Sequence, residues 1–193
     1  MKRYKVETQR EGSVKYFFIR DMESLEIVLL PSKYLMHQVR ANRSPNTIRR
    51  NAFALAYYWE YLLENEKKAE DIYEMDYETQ YDYFAEYLKW LKAGKHTDNL
   101  ENGPQNKTCN AYLKEVFRFY SFLEVVRNNG SCLSVLSYNQ PITKANASVD
   151  HLHQLNEYQI NAVADMIAKQ VEEATHAVNV EDIQDMVETG IMG

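Results

Sequence analysis

Apolar residues recur at a helical period in three stretches of the chain, and at a period of two near its start. Residues 4–30 predict a small β-hairpin. Tyr4-Lys5-Val6-Glu7 alternates, Glu11-Gly12-Ser13 carries a turn, and Val14-Lys15-Tyr16-Phe17-Phe18-Ile19 is rich in strand formers. Pro31-Ser32 then opens a short helix to about Arg40. Ser44-Pro45-Asn46-Thr47 is a stronger helix start, because the Ser44 hydroxyl can accept from an orphan N–H and proline suits the first helical position. Ile48, Ala52, Leu55, Trp59 and Leu62 give that helix one apolar face to about residue 65. A second amphipathic helix spans 77–93, with Tyr77, Tyr81, Phe84, Leu88 and Leu91 in line and Gly94 as its stop. A polar loop over 95–107, containing Asn102-Gly103-Pro104, leads to a third over 108–126. Its apolar face is Leu113, Val116, Phe117, Tyr120 and Leu123, and Asn128-Asn129-Gly130-Ser131 ends it. After an apolar patch at 133–136 and a linker at 139–143, two further helices are expected over 157–173 and 181–192. There is no internal repeat.

Composition agrees with a packed, mainly helical chain. Of 193 residues 45% are hydrophobic, and only 6 are Gly and 4 Pro, so the helical stretches run uninterrupted. The 15 tyrosines fall mostly in those stretches, where rings can pack while hydroxyls stay near water. Cys109 and Cys132 lack any metal-ligand spacing and read as free thiols in a reducing compartment. Residues 1–10 are charged, unlike a secretion signal, and no apolar run approaches the ~20 residues that cross a bilayer. A cytoplasmic location is expected, with no membrane partner.

Charge is divided unevenly. The net of −6 comes from the end of the chain: residues 1–137 hold 20 Lys and Arg against 19 Asp and Glu, and residues 138–193 hold 2 against 9. The cations that stand out lie at two helix starts. Arg43, Ser44, Asn46, Thr47, Arg49 and Arg50 surround the first, and Lys107, Thr108, Asn110 and Lys114 the second. Free N–H groups, a positive dipole end and these side chains suit phosphate contacts, which position a protein on DNA without reading its bases.

Residues 44–65 resemble the first long helix of the core-binding domain of tyrosine recombinases, the phage integrases, with a Ser, a Thr three residues on and an aromatic-rich amphipathic run. Residues 106–124 resemble its last helix, with Thr-x-Asn at Thr108 and Asn110, then Leu113 and the run Phe119-Tyr120-Ser121-Phe122-Leu123. The resemblance covers about 4–130. It implies a mainly α fold: a SAM-like helical bundle, preceded by the hairpin, that clamps one side of double-stranded DNA. The family often places Arg just after the Thr-x-Asn, where this chain has Ala111 and Tyr112.

The recombinase reaction needs an Arg–His–Arg cluster around the phosphate and a tyrosine nucleophile. No Arg follows Arg127, and His37-Gln38-Val39-Arg40, which spells the family's His-x-x-Arg, precedes the binding domain. No catalytic residue is therefore expected, and the chain is read as a non-enzyme.

Residues 140–192 resemble a different family. Ile142-Thr143-Lys144-Ala145-Asn146-Ala147-Ser148-Val149, Leu155-Asn156-Glu157-Tyr158-Gln159-Ile160 and Val180-Glu181-Asp182-Ile183-Gln184-Asp185-Met186-Val187-Glu188 look like the ATP-cone of anaerobic ribonucleoside-triphosphate reductases. The copy lacks the Lys-Arg-Asp-Gly hairpin that touches nucleotide, and Lys144 is the one cation of its first helix. A second match competes for the end of this segment. Glu188-Thr189-Gly190-Ile191 is similar to the opening of recombinase catalytic domains, with Met192 where the first catalytic Arg would stand. His151, His153 and His176 have no Cys or spaced carboxylates beside them, so neither metal nor cofactor is expected, and Glu172, Glu173, Glu181 and Asp182 read as a solvated helix face.

The resulting division is a hairpin at 1–30, a DNA-binding helical domain at 31–130, a linker at 131–140 and a short cone-like helical appendage at 141–193. The function expected is duplex DNA binding without the recombinase catalytic domain. The alternatives are a nucleotide-sensing regulatory module and a chimeric gene product with no selected function.

Overall fold

A computed structural model describes residues 2–97, 105–127, 133–137 and 149–188, with backbone alone for residues 127, 149–155 and 176–188. Several sequence expectations lie outside these described residues: the Asn102-Gly103-Pro104 loop, the stop at 128–131, Cys132, the stretch 138–148 and residues 189–193; the part of the 131–140 linker that is described, 133–137, is no linker but a buried helical turn. So do the side chains of His151, His153, His176, Glu181 and Asp182.

The chain is mainly helical and opens with a two-stranded antiparallel hairpin, as its pattern predicts. Strands β1 (Tyr4–Glu11) and β2 (Val14–Asp21) pair from Tyr4 with Asp21 to Glu11 with Val14. Gly12, at φ +59°, takes the left-handed conformation that a two-residue hairpin turn requires at its first central position. Alternation puts Phe17 and Ile19 on the buried face, with Tyr4 and Val6 packed beside them.

Helix α1 (Leu29–Arg40) begins two residues before Pro31-Ser32. Proline is tolerated anywhere in a first turn, and the Ser32 hydroxyl is spent accepting from the Ile19 N–H of β2 at 3.2 Å. In α2 (Pro45–Glu64), Ser44 accepts from Thr47 N–H as the N-cap. From Asn51 onward this helix is buried on nearly every side, since Ala54, Ala56, Tyr58, Glu60 and Tyr61 are buried along with the predicted apolar face. It is the central helix, enclosed by the hairpin, α1, α3 (Tyr77–Lys92) and α4 (Asn106–Arg127). A 3₁₀ turn, Asp71–Glu74, and the one-turn helix α5 (Ser134–Ser137) are joined through fully buried Gln80. Its amide donates to Ile72 O and its carbonyl accepts from Val135 N–H.

Tyr58, Tyr87 and Tyr120 are fully buried, hydroxyls included, which corrects the expectation of tyrosine hydroxyls near water. Tyr120 donates to Ala69 O at 3.1 Å, so its one proton is committed and Tyr58 donates to it at 2.7 Å. Burial removes most of what the charged phenolate would gain from water, and both pKa values are pushed well above the ordinary tyrosine value.

The two helices expected near the end are one. Helix α6 (Val149–Glu188) runs unbroken for 40 residues, having no Gly or Pro to interrupt it. Ile160, Val163, Ala164, Ile167, Ala168 and Val171 enter the same core as α3 and α4. The 160–171 stretch of this acidic segment therefore packs on the rest of the molecule.

Three helices end in the same motif. After α1, α2 and α3 a residue turns left-handed, and the next N–H reaches back to the carbonyl five residues earlier: Arg43 to Gln38, Lys67 to Leu62, Lys95 to Trp90. The left-handed residues are Asn42 (φ +54°), Glu66 (φ +53°) and Gly94 (φ +73°). A side chain in this region costs about 1–2 kcal/mol, which Gly avoids and Asn reduces. Glu66 is exposed and holds the conformation without either advantage. Glu66→Gly is expected to stabilise the fold by up to about 1 kcal/mol, read as a higher urea midpoint. A lower midpoint would show that this turn stores no strain.

Candidate nucleic-acid interface

The α1 end motif decides where the basic residues stand. With Asn42 left-handed and Arg43 N–H held by Gln38 O, the chain turns sharply into the Ser44 cap. Arg43, Thr47 and Arg50 then border one cavity of about 760 Å³ between the α1–α2 corner, α4 and the beginning of the described part of α6. Arg43 and Arg50 are exposed and make no ion pair with any described residue. Arg49 points elsewhere, with its guanidinium over the Phe53 ring at 5.6 Å.

The helix start offers fewer free donors than its sequence suggests. Pro45 has no N–H, Thr47 N–H is taken by Ser44, and the Ser44 and Thr47 hydroxyls bond each other at 2.8 Å. Asn46 is exposed at the second helical position. Side-chain cations therefore carry most of the anion-attracting character of this corner.

The cavity floor is a buried polar network that the sequence reading missed. Glu115 is buried on α4 and accepts from Tyr34 Oη at 2.7 Å, Gln38 Nε2 at 2.8 Å and Arg118 Nη1 at 3.2 Å. Asn51 donates to Gln38 Oε1 at 3.0 Å. Arg118 also makes a two-pronged bond to Glu157 of α6, at 2.8 and 3.0 Å. Burial alone would lower the Arg118 pKa, but Glu157 and then Glu115 more than reverse this. The Tyr34 phenol is pushed up by burial first and by the Glu115 charge second. Glu115 and Arg118 stand three apart on one helix and could have been paired from sequence. Glu157, 39 residues further on, could not.

The second helix start does not join the first. Lys107 is exposed and Thr108 and Asn110 are half-buried in the first turns of α4, and none of them borders the cavity. Asn110 Oδ1 is enclosed with no hydrogen-bond partner among the described residues. Lys114 is paired with Asp165 of α6 at 2.8 Å, a carboxylate that is itself exposed.

Glu157, Asp165 and Glu172 stand about two turns apart along one side of α6. They pair in turn with Arg118, Lys114 and Lys92. Glu172 and Glu173 are both exposed, as expected of a solvated face, and each has an ion-pair partner, Lys92 at 3.3 Å and Lys169 at 3.7 Å. Burial raises the Cys109 thiol pKa, as for an inert core cysteine. Among the described residues no His, Cys, Asp and Glu group could hold a metal, and no helix is long and apolar enough to cross a membrane. No protein-family model, curated protein or solved structure matches the chain.

Proposed function

We propose that this protein binds duplex DNA through its phosphates at the α1–α2 corner, and that binding is its activity. The observation that carries this reading is the contrast between two sets of cations. Lys92, Lys114 and Arg118 are each neutralised by an α6 carboxylate. Arg43 and Arg50, flanking a helix start, have no such partner among the described residues. Guanidinium groups left free in this way suit phosphate, whose oxygens they can meet in pairs. Arg49 and Lys107 add exposed positive charge. The resemblance of residues 44–65 and 106–124 to the recombinase core-binding domain supports the same partner. Lys114, assigned to DNA on sequence grounds, is left out of this interface.

Fluorescence anisotropy of a labelled duplex with the full chain tests the proposal. Non-specific affinity on the order of 10⁻⁴–10⁻⁶ M is expected, weakening steeply with salt. Arg43→Gln with Arg50→Gln removes two phosphate contacts and should reduce the log–log salt slope by about 1.8. Glu157→Gln with Asp165→Asn should tighten binding, because it unmasks Lys114 and leaves Arg118 only the Glu115 carboxylate, without disturbing the apolar seam of α6. No binding at low salt, or a slope unchanged by the arginine pair, would overturn the proposal.

A further inference from the structure

The residues lining the cavity beside the free arginines fall into two chemically different groups, and phosphate contacts at its rim use only one. One group is Arg43, Arg50 and Thr47. The other is an apolar wall on the last turns of α4. Phe122 packs its ring against Tyr34 at 5.2 Å and His37 at 5.1 Å, and Val125 and Val126 remain 76% and 59% exposed. Ile160 of α6 extends this wall. The volume, about 760 Å³, falls among those of small-molecule sites.

The free charge inside is positive. Two carboxylates border the cavity, and both are engaged: Glu115 by Tyr34, Gln38 and Arg118, Glu157 by the Arg118 fork. Gln38 and Asn51 bond each other, so the Gln38 carbonyl is already occupied within the floor. What remains is a pair of arginines with no ion-pair partner among the described residues, lining the same cavity as a partly exposed aliphatic and aromatic surface. We infer that this cavity binds a small organic anion, a phosphate monoester or carboxylate carried on an aromatic or branched apolar body. The anionic group would lie between Arg43 and Arg50, and the body against Phe122, Val125 and Val126. This site does not depend on DNA binding, although the two would compete for the same arginines.

Phenyl phosphate serves as the probe, titrated into the full chain at low ionic strength and followed by calorimetry. Inorganic phosphate and benzyl alcohol represent the two halves alone. Saturable one-site binding is expected with a dissociation constant on the order of 1 mM or below, as befits so small a ligand. Inorganic phosphate should bind about tenfold more weakly, because it leaves the apolar wall unused. Arg50→Gln should weaken both anions about tenfold. Val125→Ser with Val126→Ser changes only exposed side chains, so the fold is retained. It should erase the advantage of phenyl phosphate and leave inorganic phosphate as before. Equal affinity for the two anions, or indifference to the valine pair, would reduce the site to a simple anion contact and overturn the inference. Absence of saturable binding by phenyl phosphate would overturn it too. If phenyl phosphate binds as described while duplex DNA does not, the cavity stands and the DNA reading falls.

Discussion

Cutting the chain after Ser137 is expected to abolish cooperative unfolding, although every strand and helix of the predicted DNA-binding domain would be kept. The reason lies on one face of α6. Ile160, Val163, Ile167 and Val171 are each at most 5% exposed. Burying a branched side chain contributes about 1.5–3 kcal/mol, so the four together contribute at most about 6–12 kcal/mol. Ordering the helix offsets part of this. A typical domain is stable by only about 5–15 kcal/mol in total, and truncation would also uncover the α3, α4 and α5 residues opposite the seam. It would leave Lys92 and Lys114 without their carboxylates as well. The truncated chain should bind a hydrophobic dye and show a broad, weakly sloped urea transition. A sharp transition with a midpoint close to that of the full chain would refute this account. Removing acidic charge from the protein therefore calls for the substitutions in α6, because deletion removes part of the core as well.

The hairpin and the three central helices were legible because each carries a local signal. The alternation around Phe17 and Ile19, the Ser44-Pro45 start and the Gly94 stop all act over a few residues, and the structure uses them as the pattern predicts. What escaped the sequence depends on partners far along the chain. Helix α2 reads as amphipathic, yet Ala54, Ala56, Tyr58 and Tyr61 are enclosed by elements on its other side, which its own period cannot reveal. The single long α6 reads as two helices because its apolar period fades after Val171, although nothing in it breaks a helix. The cations at the α2 start were recognisable from type and position, and Arg43, Thr47 and Arg50 do share one cavity. Lys114 looked equivalent to them. Its difference is Asp165, 51 residues away, and no local pattern could supply that pairing.

Removing the Glu115 side chain should cost more than any surface substitution around the cavity. Its carboxylate is 3% exposed and receives three hydrogen bonds, from Tyr34, Gln38 and Arg118. Glu115→Ala would leave the Tyr34 hydroxyl and the Gln38 amide as buried donors without acceptors, and Arg118 with Glu157 alone. Breaking one side of a buried charged network costs about 3–5 kcal/mol, mostly as desolvation that nothing then repays. Glu115→Gln keeps one acceptor for the neutral donors but turns an amide toward the guanidinium, so a smaller loss of about 1–3 kcal/mol is expected. Urea unfolding measures both. The network makes a sharper claim than burial alone. With Tyr34→Phe already present, one stranded donor is gone, and Glu115→Ala should then cost less than it does in the parent chain. Strict additivity of the two substitutions would mean that Glu115 acts by filling space, and that the corner holding Arg43 and Arg50 is braced by something other than this carboxylate.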